Sequence, residues 1–115
     1  MSLTSSRFPY IQITLQVLDR SLKVETLIDT GFDGDVTLPP KMILNGKSPR
    51  GYLPWTLASG AKINAPYFLG KIKIGKFKAT DVLITALGDE PLIGRGVTDK
   101  FKVTFDHGRK VIVEP

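Results

Sequence analysis

The stretch TLIDTGFDGDVTLP, Thr26 to Pro39, poses the problem that the fold must solve. An apolar strand end, Thr26-Leu27-Ile28, runs directly into the carboxylate of Asp29. A hydroxyl, a glycine and two further acids, Asp33 and Asp35, follow before apolar character returns at Val36 and Leu38. Carboxylates are rarely carried into a core unless they are paired or hydrogen-bonded. An acid delivered by an apolar strand, with a sharp glycine turn at Gly31 directly behind it, points to chemistry rather than packing.

The residue types available narrow that chemistry. The chain has no cysteine and a single histidine, His107, which removes disulfides, thiolate sites, cysteine nucleophiles and any two-histidine metal site within one chain. The G-x-S-x-G elbow of serine hydrolases is absent. Carboxylates are left as the main reactive groups, and neither a metal nor another cofactor is expected.

With 115 residues, 42% hydrophobic and 23% charged, the sequence reads as one globular domain spanning 1–115. No apolar run approaches the roughly 20 residues that span a bilayer. The opening MSLTSSRFPY lacks the apolar stretch of a secretory leader, so a cytoplasmic location without membrane contact is expected. The net charge of +5 permits acidic partners without requiring them. Much of it lies in KIKIGKFK, Lys71 to Lys78, where lysines alternate with apolar residues around Gly75-Lys76. A hairpin with one wetted face accounts for that pattern, and nucleic acid is not an expected partner.

The rest of the chain is read as strands and tight turns. YIQITLQVL alternates Ile11, Ile13, Leu15 and Val17 with polar neighbours, and LKVETLID returns as its partner after a turn at Asp19-Arg20. Pro39-Pro40 opens an irregular stretch, and WTLASGAKINAPYFL forms a hairpin with Ser59-Gly60 at its tip. The segment EPLIGRGVTDKF is the one helical candidate, and FKVTFDHGRKVIVEP closes the chain as a hairpin around His107-Gly108.

Asp29-Thr30-Gly31 behind an apolar strand resembles the active-site loop of the aspartic proteases. The likeness is to the single-domain, retroviral-type (retropepsin-like) branch and its small bacterial and archaeal relatives that carry Asp-Thr-Gly-Phe. Three further features support it: the strand end Leu27-Ile28, the return to apolar residues in FDGDVTLP, and PLIGRGVTDKFKVTFD some sixty residues on, which matches the family's second signature. Between the two signatures, Leu57, Ala58, Ser59, Gly60 and Ala61 stand where the family places its flap. The resemblance implies a mainly β fold: a closed retropepsin-like barrel, one half of an acid protease, with a flap hairpin and one short C-terminal helix.

In this class, two carboxylates a few ångströms apart share one proton, because both cannot be charged at once. The ionised one activates a water and the protonated one delivers a proton to the amide. Only one such triplet is present, so a chain supplies half a site, and an isologous homodimer acting on peptide or protein substrates is implied. The alternative is a dimeric module of the same fold that binds peptides without cleaving them.

The resemblance also assigns roles by position. Asp29 is the catalytic residue, Thr30, Gly31 and Phe32 complete its loop, and Thr30 would bond across to the partner loop. Asp33 would pair with Arg95, beside Gly94, to brace that loop against the helix. The terminal segments FPYIQ and KVIVEP are β-prone and suited to pairing across a dimer. Trp55 and Tyr52 are expected at the base of the flap, His107 in an exposed turn, and Asp35 either in a turn or facing the cleft. Phe32 departs from the small residue common there and is expected to narrow the cleft or fill a neighbouring pocket. Gly96 and Thr98 are poor helix formers, which reduces the helix to a single turn.

Overall fold

The computed structural model describes residues 1–44 and 46–115. In chain order the elements are β1 (Leu3–Ser5), β2 (Tyr10–Val17), β3 (Arg20–Ile28), β4 (Val36–Leu38), α1 (Pro40–Ile43) and β5 (Gly51–Thr56). They continue with β6 (Lys62–Lys73), β7 (Thr80–Ala86), β8 (Leu92–Ile93), α2 (Arg95–Thr98), β9 (Lys102–Asp106) and β10 (Lys110–Glu114).

Alternation along β2 decides which way the sheet curls. Ile11, Ile13, Leu15 and Val17 are buried while Gln12 and Gln16 are exposed, as a period of two requires when one face packs and the other is wet. The neighbours run β2-β3-β8-β4-β7-β6, and β6 pairs back onto β2 through Thr14↔Lys73 and Leu15↔Ile72. That last pairing closes these six strands into a barrel. β5 stays outside the ring, held by β6 alone, and so can project as the first arm of a flap. Inside, Leu15, Val36, Leu38, Ile43, Ile84 and Ile93 are fully buried. Thr26 joins them because its hydroxyl donates to the Ile11 carbonyl at 3.0 Å.

A second sheet, β1-β10-β9, lies against the barrel and buries Val111 and Val113. Phe77 and Phe101, with ring centroids 5.2 Å apart, stitch the two together. KVIVE therefore pairs with β1 and β9 of its own chain, and most of FPYIQ is the start of β2.

Two local expectations need correction. The β2–β3 turn is centred on Leu18-Asp19, one residue earlier than Asp19-Arg20, with both residues at positive φ (52° and 64°) and Val17 paired to Arg20. Twist matching favours such a two-residue turn even with a leucine in it. The stretch after Pro39 is not wholly irregular. Pro40 starts a one-turn helix that buries Ile43, which with α2 makes two short helices among the described residues. Proline at the first helical position gives up no hydrogen bond and presets φ. α2, by contrast, is the four-residue turn anticipated from Gly96 and Thr98.

The lysine hairpin behaves as its pattern implies. Ile72, Ile74 and Phe77 are buried, the lysines are exposed, and Lys71 pairs with Asp81 at 2.7 Å in solvent.

Leu15 sits at the closure of the barrel with no exposure. Leu15→Ala should lower unfolding free energy by about 2–5 kcal/mol through lost burial and the residual cavity. A urea titration checks this; an unchanged midpoint would mean that the barrel does not close on this residue.

Candidate active site

Asp29 leaves the barrel as the first residue beyond β3, and its backbone is fixed before its side chain is. Its N–H donates to the Ile93 carbonyl at 3.0 Å, and the Phe32 N–H returns to the Asp29 carbonyl at 3.2 Å. The carboxylate is then oriented by its own loop: Asp29 Oδ1 accepts from the Gly31 N–H at 2.9 Å. A Cβ on Gly31 would lie 3.2 Å from that oxygen, tighter than an ordinary contact, so glycine eases this close approach of the loop to its acid. Asp29 is half-buried, whereas Thr30 and Gly31 are exposed. The loop faces outward.

The two sequence signatures are laced together by main chain. The N–H groups of Gly94, Arg95 and Gly96 donate to the carbonyls of Asp35, Phe32 and Gly34 at 2.9, 2.8 and 3.0 Å. A Cβ at Gly94 would collide with the main-chain oxygens of Gly34 and Phe32, and one at Gly96 with the Asp35 carboxylate. Glycines poor for helix formation are thus required for close contact.

The expected side-chain brace is not what holds the loop. Asp33 and Arg95 are exposed, and among the described residues no ion pair joins them. Arg95 contributes its N–H, and Asp33 instead lines the cleft with Asp29. The acid that does bind structure is Asp35, whose Oδ2 accepts from the Leu83 N–H at 2.8 Å and so ties the loop to β7. Asp35 therefore does not present itself to the cleft as a selector of basic side chains. Sequence reasoning missed it because its partner is a main-chain group 48 positions away.

Phe32 answers the question of its unusual size. Its ring covers Gly34 and Gly94, which have no Cβ to obstruct it, and packs on Trp55 with centroids 5.3 Å apart at 48°. The aromatic pair builds part of the cleft wall and seats the base of the flap. Tyr52 is elsewhere. It lies three residues before Trp55 on β5, so it falls on the opposite face and is 64% exposed.

The flap is a tight turn on β5 and β6. Leu57 N–H donates to the Ala61 carbonyl at 2.8 Å, Gly60 N–H to the Leu57 carbonyl at 2.9 Å, and Gly60 takes φ +87°. Residues 57–61 are all exposed; Leu57 and Ala58 line the cleft, and Ser59, Gly60 and Ala61 form the tip beyond it. The cleft measures about 610 Å³; Asp29 and Asp33 line it, and Leu57, Leu87 and Leu92 supply apolar surface. A second concavity of about 630 Å³, by the β2–β3 turn, shares no lining residue with it. Its charged rim of Asp19, Arg20, Lys71 and Asp81 includes an ion pair already made.

Beside the Asp29 loop the N-terminal segment is pinned down. Pro9 O accepts from the Ile28 N–H at 3.1 Å, and Arg7 pairs with Glu25 at 2.6 Å while lying over the Tyr10 ring. The Arg7 hydrogen bond holds the Glu25 carboxyl below its usual range, and the Glu90 charge pushes the Tyr10 hydroxyl up. His107 is exposed in its turn, bonded to Asp106 at 2.6 Å. Among the described residues no group of three or more His, Asp or Glu side chains converges to hold a metal ion, and no helix is long and apolar enough to cross a membrane.

This architecture has counterparts among solved structures. A retropepsin-like aspartic protease from Rickettsia conorii superposes with a TM-score of 0.65 at 22% identity, over 98% of this chain and 89% of that one. The fold is retropepsin-like. The protease of simian foamy virus (mac) matches with a TM-score of 0.52 at 12% identity, over 76% of this chain and 91% of the viral one. No family model matches the sequence, and no curated protein matches it. The likeness thus lies in the retropepsin-like backbone far more than in side chains.

Because the obstacles around Gly94 are main-chain oxygens, Gly94→Ala cannot be accommodated by a rotamer change. It should cost about 1–3 kcal/mol, as overpacking does, and displace the Asp29 loop. Chemical denaturation together with amide shifts of residues 29–35 would register this; wild-type stability and spectra would contradict the lacing described above.

Proposed function

We propose that the protein is an aspartic endopeptidase whose active site is completed by a second copy of the chain. The observation that carries this reading is the Asp29 loop itself. One carboxylate, oriented by the Gly31 N–H on an outward-facing loop, lines a cleft that Leu57 and Ala58 of the flap also line. Among the described residues no hydrogen bond engages the Thr30 hydroxyl, which fits a group reserved for a partner loop. Phe8 and Phe105, 36% and 44% exposed and stacked edge to face at 5.7 Å, add an apolar patch. It adjoins Pro9, which bonds the residue before Asp29.

In the proposed C2 dimer the two Asp29 carboxylates share a proton. The ionised one takes a proton from a water, whose oxygen attacks the peptide carbonyl carbon. The protonated one gives its proton to the carbonyl oxygen, forming a neutral gem-diol. Collapse of that intermediate breaks the C–N bond as the leaving nitrogen is protonated, and the acid and base are restored. Phe32, Trp55 and the flap would exclude bulk water and hold the peptide extended.

Sedimentation at micromolar concentration should show a dimer, and a strict monomer that still cleaves peptides would refute the shared site. Activity on an unfolded test protein should follow a bell in pH, since fully ionised and fully protonated pairs both lack one partner. Asp29→Asn should keep the dimer and lower kcat by several orders of magnitude, on the scale of removing a catalytic group that acts as part of a unit. Equal cleavage by the variant would remove Asp29 from the mechanism. Peptide binding by wild type with no cleavage at any pH would favour the non-catalytic module.

A further inference from the structure

The second sheet, β1-β10-β9, ends on β9, which pairs with β10 on one side only. Outside that hairpin, no main-chain hydrogen bond among the described residues engages Lys102 to Asp106. An unpaired row of N–H and C=O groups is a template for another strand, and proteins commonly blunt it with proline or charge. β9 has no proline, and its two charges, Lys102 and Asp106, stand at opposite ends with opposite signs.

The order of its side chains selects the strand that fits. Laid antiparallel to a copy of itself about Thr104, Lys-Val-Thr-Phe-Asp sets Lys102 against the partner's Asp106, Val103 against the partner's Phe105, and Thr104 against itself. Directly opposed residues share a face, so the charges meet on one face and the apolar groups on the other. The apolar half of the match fills a gap. Val103 and Phe105 share a face with the buried Val113 and Val111 of β10. Val103 packs against the core, whereas Phe105 stays exposed beyond its contact with Phe8. The polar half uses spare charge: Lys102 makes no ion pair among the described residues, although Glu114 stands opposite it on β10. Asp106 holds His107 with one oxygen and has Lys110 at 3.6 Å from the other. Other open edges lack this match, since β1 is three uncharged residues and β5 carries Pro54, which has no N–H to give.

We propose that β9 is the edge through which two copies of this chain join, about a two-fold axis at Thr104, with each copy keeping its own β1 and β10. The pairing is isologous, as a closed dimer requires. It rests on reading the protein as a dimer that shares the Asp29 site. Two short routes tie this edge to that loop. Residues 94–96, bonded to the carbonyls of residues 32–35, lead through α2 into β9. Phe105 packs on Phe8, beside Pro9, whose carbonyl accepts from the Ile28 N–H. Five residues of strand are a small contact, so the Phe8–Phe105 patch and the loops complete the interface. A foreign strand with a like charge opposite Lys102 or Asp106 is rejected, so the charges that usually block an edge here admit a copy.

The chain has no cysteine, so a single one introduced at the axis reports the register. Opposed residues of an antiparallel pair have Cα atoms about 4.5–5.5 Å apart, within the span of about 4.4–6.8 Å that a disulfide bridges. Under mild oxidation at micromolar concentration, Thr104→Cys should become mainly covalent dimer. It should do so roughly tenfold or more faster than Thr4→Cys and Ile112→Cys, which share its sheet face but are not at the axis, because paired thiols meet at a high effective concentration. Equal rates in the three variants would overturn the pairing. In wild type, amide exchange at residues 102–106 should slow as protein concentration is raised through the dimer constant, while residues 3–5 on the other edge stay unchanged. A dimer that shows neither signal overturns the proposal and leaves the shared Asp29 site standing. Both signals in a protein that cleaves no peptide support the edge pairing and count against the protease reading instead.

Discussion

The backbone lacing between residues 29–35 and 93–96 is the constraint on which the site depends. Asp29 N–H to Ile93, and the N–H groups of Gly94, Arg95 and Gly96 to the opposing loop, join two segments some sixty residues apart in sequence. Each such bond is worth only about 0.5–1.5 kcal/mol net, but leaving its buried members unpaired costs more. The loop therefore has one satisfied arrangement, and the acid at its head is held where the barrel puts it. The glycines at 94 and 96 follow from this closeness, since a side chain at either would strike the opposite loop. Asp35 extends the same logic to β7, supplying a carboxylate to the Leu83 N–H just before β7 takes up its pairing with β4.

Much of this was legible in the sequence because its cause was local. The alternation of Ile11, Ile13, Leu15 and Val17 reports a half-wet strand directly, and Ser59-Gly60 reports a turn by composition. The triplet Asp29-Thr30-Gly31 with its second signature pointed to the fold that the solved structures share. What the sequence hid was long-range. Asp33 and Asp35 are chemically alike two positions apart, and only the tertiary placement of Leu83 shows which of them is structural. Tyr52 and Trp55 both looked like flap-base aromatics, yet a three-residue spacing on a strand puts them on opposite faces. α1 was concealed by Pro39-Pro40, which read as a break although Pro40 serves as a first helical residue.

The cleft combines two kinds of group that an ordinary core avoids. Asp29 and Asp33 line it, and the sealed Thr37 Oγ1 and Trp55 Nε1 have no hydrogen-bond partner among the described residues. The packing of Phe32 on Trp55 connects the residue after Asp29-Thr30-Gly31 to the arm of the flap.

The central claim is that two protomers make one active site rather than two. A tandem protein, two copies joined by a flexible linker, tests it when only one copy carries Asp29→Asn. A shared site predicts that this single substitution reduces cleavage as far as the double substitution does. Retention of about half the activity of the unsubstituted tandem, as two independent sites would give, would contradict it.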